Sequence, residues 1–213
     1  MNHNPLLTAL LLTFAMACAP RDPEGFAPIF DGQSLAGWEG NAAFFRVEDG
    51  AIVAGKAAEA IPRNEFLCTD HSYGNFELRL EARLDGEGKN AGIQFRSARI
   101  PGDHEVIGYQ YDMGHSAERP IWASLYDESR RRIFLHHPPE SAIRDLLRPD
   151  DWNDIAIRCQ GASIQFWLNG YHVLHYTETL DSIPQTGRIC LQIHSGPPAE
   201  ARYRNIRMQE RGE

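Results

Sequence analysis

The ten residues Gly187-Arg188-Ile189-Cys190-Leu191-Gln192-Ile193-His194-Ser195-Gly196 decide how the chain is read. Ile189, Leu191 and Ile193 alternate with Arg188, Cys190, Gln192 and His194, and a period of two in an extended chain sends the two sets to opposite faces. The segment therefore reads as a β-strand with one buried side and one side that carries chemistry. An amide there suits hydrogen bonding to a ligand, and an imidazole suits proton transfer near neutral pH. Two further segments repeat the arrangement: Ile93 and Phe95 alternate with Gln94 and Arg96, and Tyr109 and Tyr111 alternate with Gln110 and Asp112. Three strands thus offer Gln, Arg, Asp and His from one kind of face.

Working outward, apolar alternation broken by turn residues recurs along the whole chain, from Ala51-Ile52-Val53 through 121–126 and 133–135 to 203–208, which is an all-β pattern. Phe76, Leu78, Leu80, Ala82 and Leu84 share one parity and Glu77, Arg79, Glu81 and Arg83 the other. That is the pattern of an antiparallel sheet with one wet face, and the charged set is expected to be solvated. Asn169-Gly170 lies between two apolar runs and predicts a tight hairpin. Only Glu140 to Leu147 looks helical, and Pro138-Pro139 and Pro149 confine it to about two turns. Two packed antiparallel sheets of short strands follow as the architecture.

The start of the chain carries the marks of export. The apolar run from Leu6 to Met16 is too short to span a bilayer, and Ala15-Met16-Ala17-Cys18 resembles a bacterial lipobox, whose Cys becomes the lipidated first residue. Residues 1–17 are read as a lipoprotein-type signal peptide, Cys18 as the lipidation site, 18–27 as a tether and 28–210 as one domain. Ordinary cleavage near Ala17 or Ala19 is the alternative. The expected location is the periplasm or cell envelope, with the membrane met only through a lipid on Cys18. A net charge of −8, from 21 basic and 29 acidic residues, argues against nucleic acid or anionic lipid as a partner and is compatible with a neutral sugar.

With Cys18 lipidated, Cys68, Cys159 and Cys190 remain, an odd number that permits at most one internal disulfide and implies no disulfide framework. Cys159 follows Ile155 and Ile157 toward the core, whereas Cys190 shares a face with Gln192 and His194, so those two are not expected to pair. No Cys-x-x-Cys or His-Glu-x-x-His spacing occurs, so the usual zinc signature is missing.

Several stretches resemble a known family. Phe30-Asp31-Gly32-Gln33-Ser34-Leu35-Ala36-Gly37-Trp38 is similar to the opening of the 3-keto-disaccharide hydrolase domain, and Tyr73-Gly74-Asn75-Phe76-Glu77-Leu78, Asn90-Ala91-Gly92-Ile93-Gln94-Phe95-Arg96, Gly108-Tyr109-Gln110, Asp151-Trp152-Asn153, Leu191-Gln192-Ile193-His194 and Tyr203-Arg204-Asn205-Ile206 follow in the family's order. The resemblance implies a concanavalin-like jelly-roll β-sandwich and cleavage of a glycoside already oxidised to a ketone at C3. Many members have Glu at the position of Gly108 and an acid three places after Gln110; here the acid, Asp112, comes two places on. The pattern fits a branch that also carries a strand like Ser124-Leu125-Tyr126-Asp127-Glu128.

The implied chemistry needs a base to take the C2 proton, a partner for the enolate, and an acid for the leaving oxygen. By residue type, His194 serves as base or acid, Asp112 as its complement or a hydroxyl acceptor, and Arg96 as enolate stabiliser. Gln94, Gln110 and Gln192 would orient hydroxyls, Glu128 would be a reserve acid, Arg130 a hydroxyl clamp, and Trp122 or Trp152 a stacking surface. Arg204 is expected to be structural, Trp38 to be packing, and His136-His137 to point to opposite faces. No cofactor is required, although Asp112 and His194 could hold a divalent ion. A non-catalytic carbohydrate-binding module is the competing function. A retaining glucanase is disfavoured because no Glu-x-Asp-x-Glu run occurs.

Overall fold

The computed structural model describes residues 24–116 and 119–212. The signal segment, Cys18 and the start of the tether lie outside the described residues. The strands, in chain order, are β1 (Ala27–Pro28), β2 (Trp38–Glu39), β3 (Phe45–Glu48), β4 (Ala51–Lys56), β5 (Glu65–Tyr73), β6 (Phe76–Gly86), β7 (Asn90–Arg99), β8 (Val106–Gly114), β9 (Leu125–Glu128) and β10 (Phe134–His136). A short helix, α1 (Glu140–Leu146), precedes β11 (Asn153–Gln160), β12 (Ser163–Leu168), β13 (Tyr171–Thr177), β14 (Gly187–Ile193) and β15 (Ala199–Glu210). They form two antiparallel sheets. The first runs β13-β12-β11-β6-β15-β4-β3 with β1 added to β15, and the second runs β10-β9-β8-β7-β14-β5-β2.

Alternation explains how the sheets pack. Leu78, Leu80, Ala82, Ile157, Phe166, Ala201 and Tyr203 from the first sheet meet Ile93, Phe95, Tyr109, Tyr111, Ile189, Leu191 and Ile193 from the second in one buried cluster, as two half-buried sheets require. The hairpin at Asn169-Gly170 forms between β12 and β13, with φ of 51° and 85° at its two central residues, the left-handed pair that such a turn needs. α1 ends at Leu146, one residue short of the expected limit.

Three differences bear on the site. β5 has no clean apolar alternation, so periodicity does not predict it. The run 121–126 is strand only from Leu125, because Ala123 takes φ of 59° and turns the chain, leaving Ile121 and Trp122 packed inside. The charged face of β6 is also less wet than expected: Glu77 is 3 % exposed and held by Arg79 and Arg158, with Arg211 close by. Those guanidiniums outweigh burial and keep the Glu77 carboxyl below its ordinary range.

Cys68 on β5 and Cys190 on β14 are opposite each other in the ladder, 4.0 Å apart at Cα, and form a disulfide. Among the described residues Cys159 is the free thiol, buried as its parity required. The disulfide closes a loop across a separation of 122 residues, and chain-entropy arguments give such a closure a large effect on the unfolded state. Replacing both Cys68 and Cys190 with Ala should lower unfolding stability by about 3 kcal/mol. Urea denaturation of the double variant checks this, and an unchanged midpoint would contradict it.

Candidate functional site

The outer face of the second sheet is where the polar residues gather, and the ladder registers say why. Gln94 of β7 faces Gln110 of β8, and Gly92 faces Asp112. Cys190 and Gln192 of β14 face Gln94 and Gly92. On the other side, Tyr126 and Glu128 of β9 face Gln110 and Gly108. Residues paired across a ladder point the same way, so four strands deliver these side chains to one surface. Gly108, where the family resemblance leads one to expect Glu, thus has a glutamate directly opposite it on the next strand.

A chain of hydrogen bonds joins the floor. The Ser97 hydroxyl donates to Gln94 Oε1 at 3.3 Å, Gln94 Nε2 to Gln110 Oε1 at 2.9 Å, and Gln110 Nε2 to Asp112 Oδ1 at 3.1 Å. Gly92 makes this possible, because a Cβ there would come within 2.4 to 2.7 Å of the Gln110 side chain. Beside the chain, Gln192 Nε2 donates to Glu128 Oε2 at 3.1 Å, while Gln192 Oε1 has no partner among the described residues although the residue is 0 % exposed. A buried acceptor left open is costly unless something else satisfies it.

The titrating groups are set apart by their surroundings. Asp112 is 4 % exposed. Burial outweighs its bonds from Gln110 and the Met113 N–H, the charge of Glu128 adds to the effect, and its carboxyl is pushed up to about 8. It is neutral at pH 7 and has a proton to donate. Glu128 is also raised, by burial first and then by Glu105, with Gln192 and His194 acting the other way. His194 is half-buried, and its Nδ1 lies 2.7 Å from the Ser195 carbonyl. A carbonyl only accepts, so the ring proton is assigned to Nδ1, leaving Nε2 with the lone pair. A cleft of about 440 Å³ opens beside His194, between Glu87, Lys89, Asn90 and His115.

Four expected site residues lie elsewhere. Arg96 sits at a β-bulge, with φ of 49° and a register shift between Phe95 and Ala98. The extra residue turns its side chain off the face, where it is 3 % exposed and donates to the carbonyls of Gly74 and Gly161. Arg96 is a structural clamp on two turns, not an enolate partner. Arg130 is spent on Asp127 and lies over the Tyr109 ring, so it is no hydroxyl clamp. Its neighbour Arg131 bridges Asp127 and Glu178. Trp122 is 5 % exposed and belongs to the core, so it offers no stacking face on this surface. Trp152 is covered by Arg204, which also pairs with Glu81, and Trp38 donates to the Ile29 carbonyl as a packing residue.

Sequence reasoning overlooks Tyr126 and Phe134, whose rings meet at 5.0 Å at the margin of the face. The parity of Tyr126 with Glu128 is the available signal. It also leaves Cys68 unplaced, and that residue, with Phe66, Val106 and Cys190, forms a small apolar patch at the other end of the face. Among the described residues no group of three or more His, Cys, Asp or Glu side chains is disposed to hold a metal ion.

The raised Asp112 value links the site to stability. In the unfolded chain this carboxyl titrates near 3.8, and in the fold near about 8. Its contribution is present below 3.8 and is lost as pH rises through that window to 8. Asp112→Asn keeps an acceptor for Gln110 and carries no charge, so it should raise Tm at pH 9 by on the order of 5 °C and have little effect at pH 4. Scanning calorimetry at both pH values checks this; an equal shift at both would contradict the assignment.

Residues 25–209 match the family described as the 3-keto-alpha-glucoside-1,2-lyase-like domain. No match was found among curated proteins. A solved structure from Parabacteroides distasonis named "putative glycosyl hydrolase" is 17% identical, with 89% of this chain and 95% of that one covered and a TM-score of 0.66. The carbohydrate binding module CBM66 from Bacillus subtilis is 12% identical over 82% of this chain and 96% of its own, at 0.62. A Bacillus licheniformis β-glucanase is 12% identical over 82% and 92%, at 0.55. These likenesses establish a jelly-roll fold used by glycan-cleaving and glycan-binding proteins alike, while the match over nearly the whole described chain settles the family. The chain belongs to the 3-keto-α-glucoside-1,2-lyase-like domain family.

Proposed function

We propose that this domain cleaves 3-keto-glycosides by elimination followed by addition of water, with His194, Glu128 and Asp112 as the reacting side chains. The observation that carries the reading is the pairing, on one sheet face, of a neutral carboxyl with a second raised carboxyl, and an imidazole with a free Nε2 close enough to the second carboxyl to act on it. Pairs of acids and bases pushed to different protonation states are what proton-transfer chemistry uses.

In this reading His194 Nε2 takes the proton from C2, which the neighbouring C3 ketone has acidified. The electron pair moves into the C3 carbonyl, and the resulting enolate oxygen accepts a hydrogen bond from the protonated Asp112, the role that Arg96 cannot fill. Reforming the carbonyl expels the C1 oxygen, which takes its proton from Glu128. Water then adds to C1 of the enone, giving its proton to the Glu128 carboxylate, and the His194 imidazolium returns a proton to C2. The balance is one water consumed, one alcohol released and a free 3-keto sugar. Gln110 and Gln94 hold Asp112 in place, and Gln192 Oε1 is left to accept a hydroxyl of the substrate.

A non-catalytic carbohydrate-binding role remains a second reading, favoured by the unpartnered amide oxygen of Gln192, which a bound sugar would satisfy without any reaction. The export segment read at 1–17, with lipid on Cys18, would put either activity outside the cytoplasm, where the Cys68–Cys190 disulfide would persist.

Incubation of the purified protein with a 3-keto-glucoside and with its unoxidised parent separates the readings. Cleavage of the keto sugar alone is expected, and binding of either without turnover would instead support the module. His194→Ala should lower kcat by at least about a hundredfold. Activity of the unaltered protein should fall as pH rises above about 8, because Asp112 then loses the proton it donates. Asp112→Asn should remove the part of that alkaline decline that Asp112 causes, leaving the part set by Glu128.

A further inference from the structure

A second cavity, of about 410 Å³, lies beneath α1 at the end of the sandwich. It shares two wall residues, Lys89 and His115, with the cleft beside His194. The cleft that holds His194 therefore adjoins this cavity, with Lys89 and His115 as their common wall. If His194 takes the C2 proton, the keto ring lies over the polar floor, and the substituent on C1 extends past His194 toward Lys89 and His115. We infer that the cavity beneath α1 binds the leaving group of the substrate, and that this leaving group carries an apolar ring rather than a second sugar.

The chemistry of the walls carries the second half of the inference. Trp122 and Ile143 are buried core residues that present their hydrocarbon to the cavity, and Leu147 closes it from the end of α1. Most of the charged groups around its mouth already hold a partner. Lys89 pairs with Asp150, and Arg144 lies 3.0 Å from Glu140. A sugar placed here would lose water from its hydroxyls and find few open partners, which is costly, whereas an apolar ring would gain the full benefit of burial. The volume is that of a small-molecule pocket.

This inference rests on the proposed function, and one set of substrates separates the two. Methyl and benzyl 3-keto-glucosides of the same anomer release alcohols of similar acidity, so the ratio of their kcat/KM values reports how well the ring is held. A 3-keto-disaccharide provides the sugar arm. The benzyl substrate is expected to exceed the methyl one by about tenfold or more and to exceed the disaccharide, and Leu147→Glu should bring the benzyl-to-methyl ratio close to one. Equal rates for methyl and benzyl substrates, or preference for the disaccharide, would overturn the leaving-group assignment while leaving the reaction intact. Cleavage of none of the three would overturn the reaction itself and the inference with it.

Discussion

The structure turns on a row of polar side chains laid flat across the outer face of the second sheet. Amides standing free on a sheet would be mobile and solvated, whereas here Ser97, Gln94, Gln110 and Asp112 hand a hydrogen bond from one to the next and are almost wholly buried. That burial costs free energy unless each group is satisfied, so each member fixes the next. The absence of a side chain at Gly92 gives Gln110 room to lie down. Asp112 stands at the end of the row with its carboxyl neutral, held so by its burial and by the nearby charge of Glu128.

Much of this is legible in the sequence, for a definite reason. The alternation in β14 puts Ile189, Leu191 and Ile193 in the core and Cys190 and Gln192 on the other face, and the structure has that arrangement. The same rule places Gln94, Gln110 and Asp112. It fails at Arg96, because a bulge inserts one residue and every side chain beyond it changes face. Gly187, which packs against the backbone of Arg96 and Ser97 with no room for a Cβ, is the partner of that bulge, but a single glycine at the start of a strand does not reveal what it touches. The disulfide is illegible for a related reason. Glu65-Phe66-Leu67-Cys68-Thr69-Asp70-His71-Ser72-Tyr73 mixes apolar and polar residues without a period, since β5 is buried on both faces at one end and exposed at the other.

Burial also explains why the arginines mislead. Six consecutive polar residues from Asp127 to Arg132 look like a solvated turn, yet Asp127 is fully buried and gathers Arg130 and Arg131 around it. The sheet face with Glu77 follows the same logic, with carboxylates inside and guanidiniums spread over them. Charge alternation along a strand indicates which face is polar without indicating how wet it is. The ion pairs hold the rim of the sandwich, and the polar row holds its working surface.

The place of β14 in the sheet has a bearing on how the protein comes into being. β14 lies between β5 and β7, and it is locked to β5 through a crosslink spanning 122 residues. Until the ribosome has delivered the segment that begins at Gly187, β5 and β7 each present a raw edge with unpaired amides. This late part of the chain must therefore arrive before the second sheet can close, and the strand that closes it also brings Gln192 and leads into His194. Synthesis, oxidation and the gaining of chemistry are thereby tied to a single late insertion, so that a polypeptide cut short has neither a sealed sheet nor a working surface.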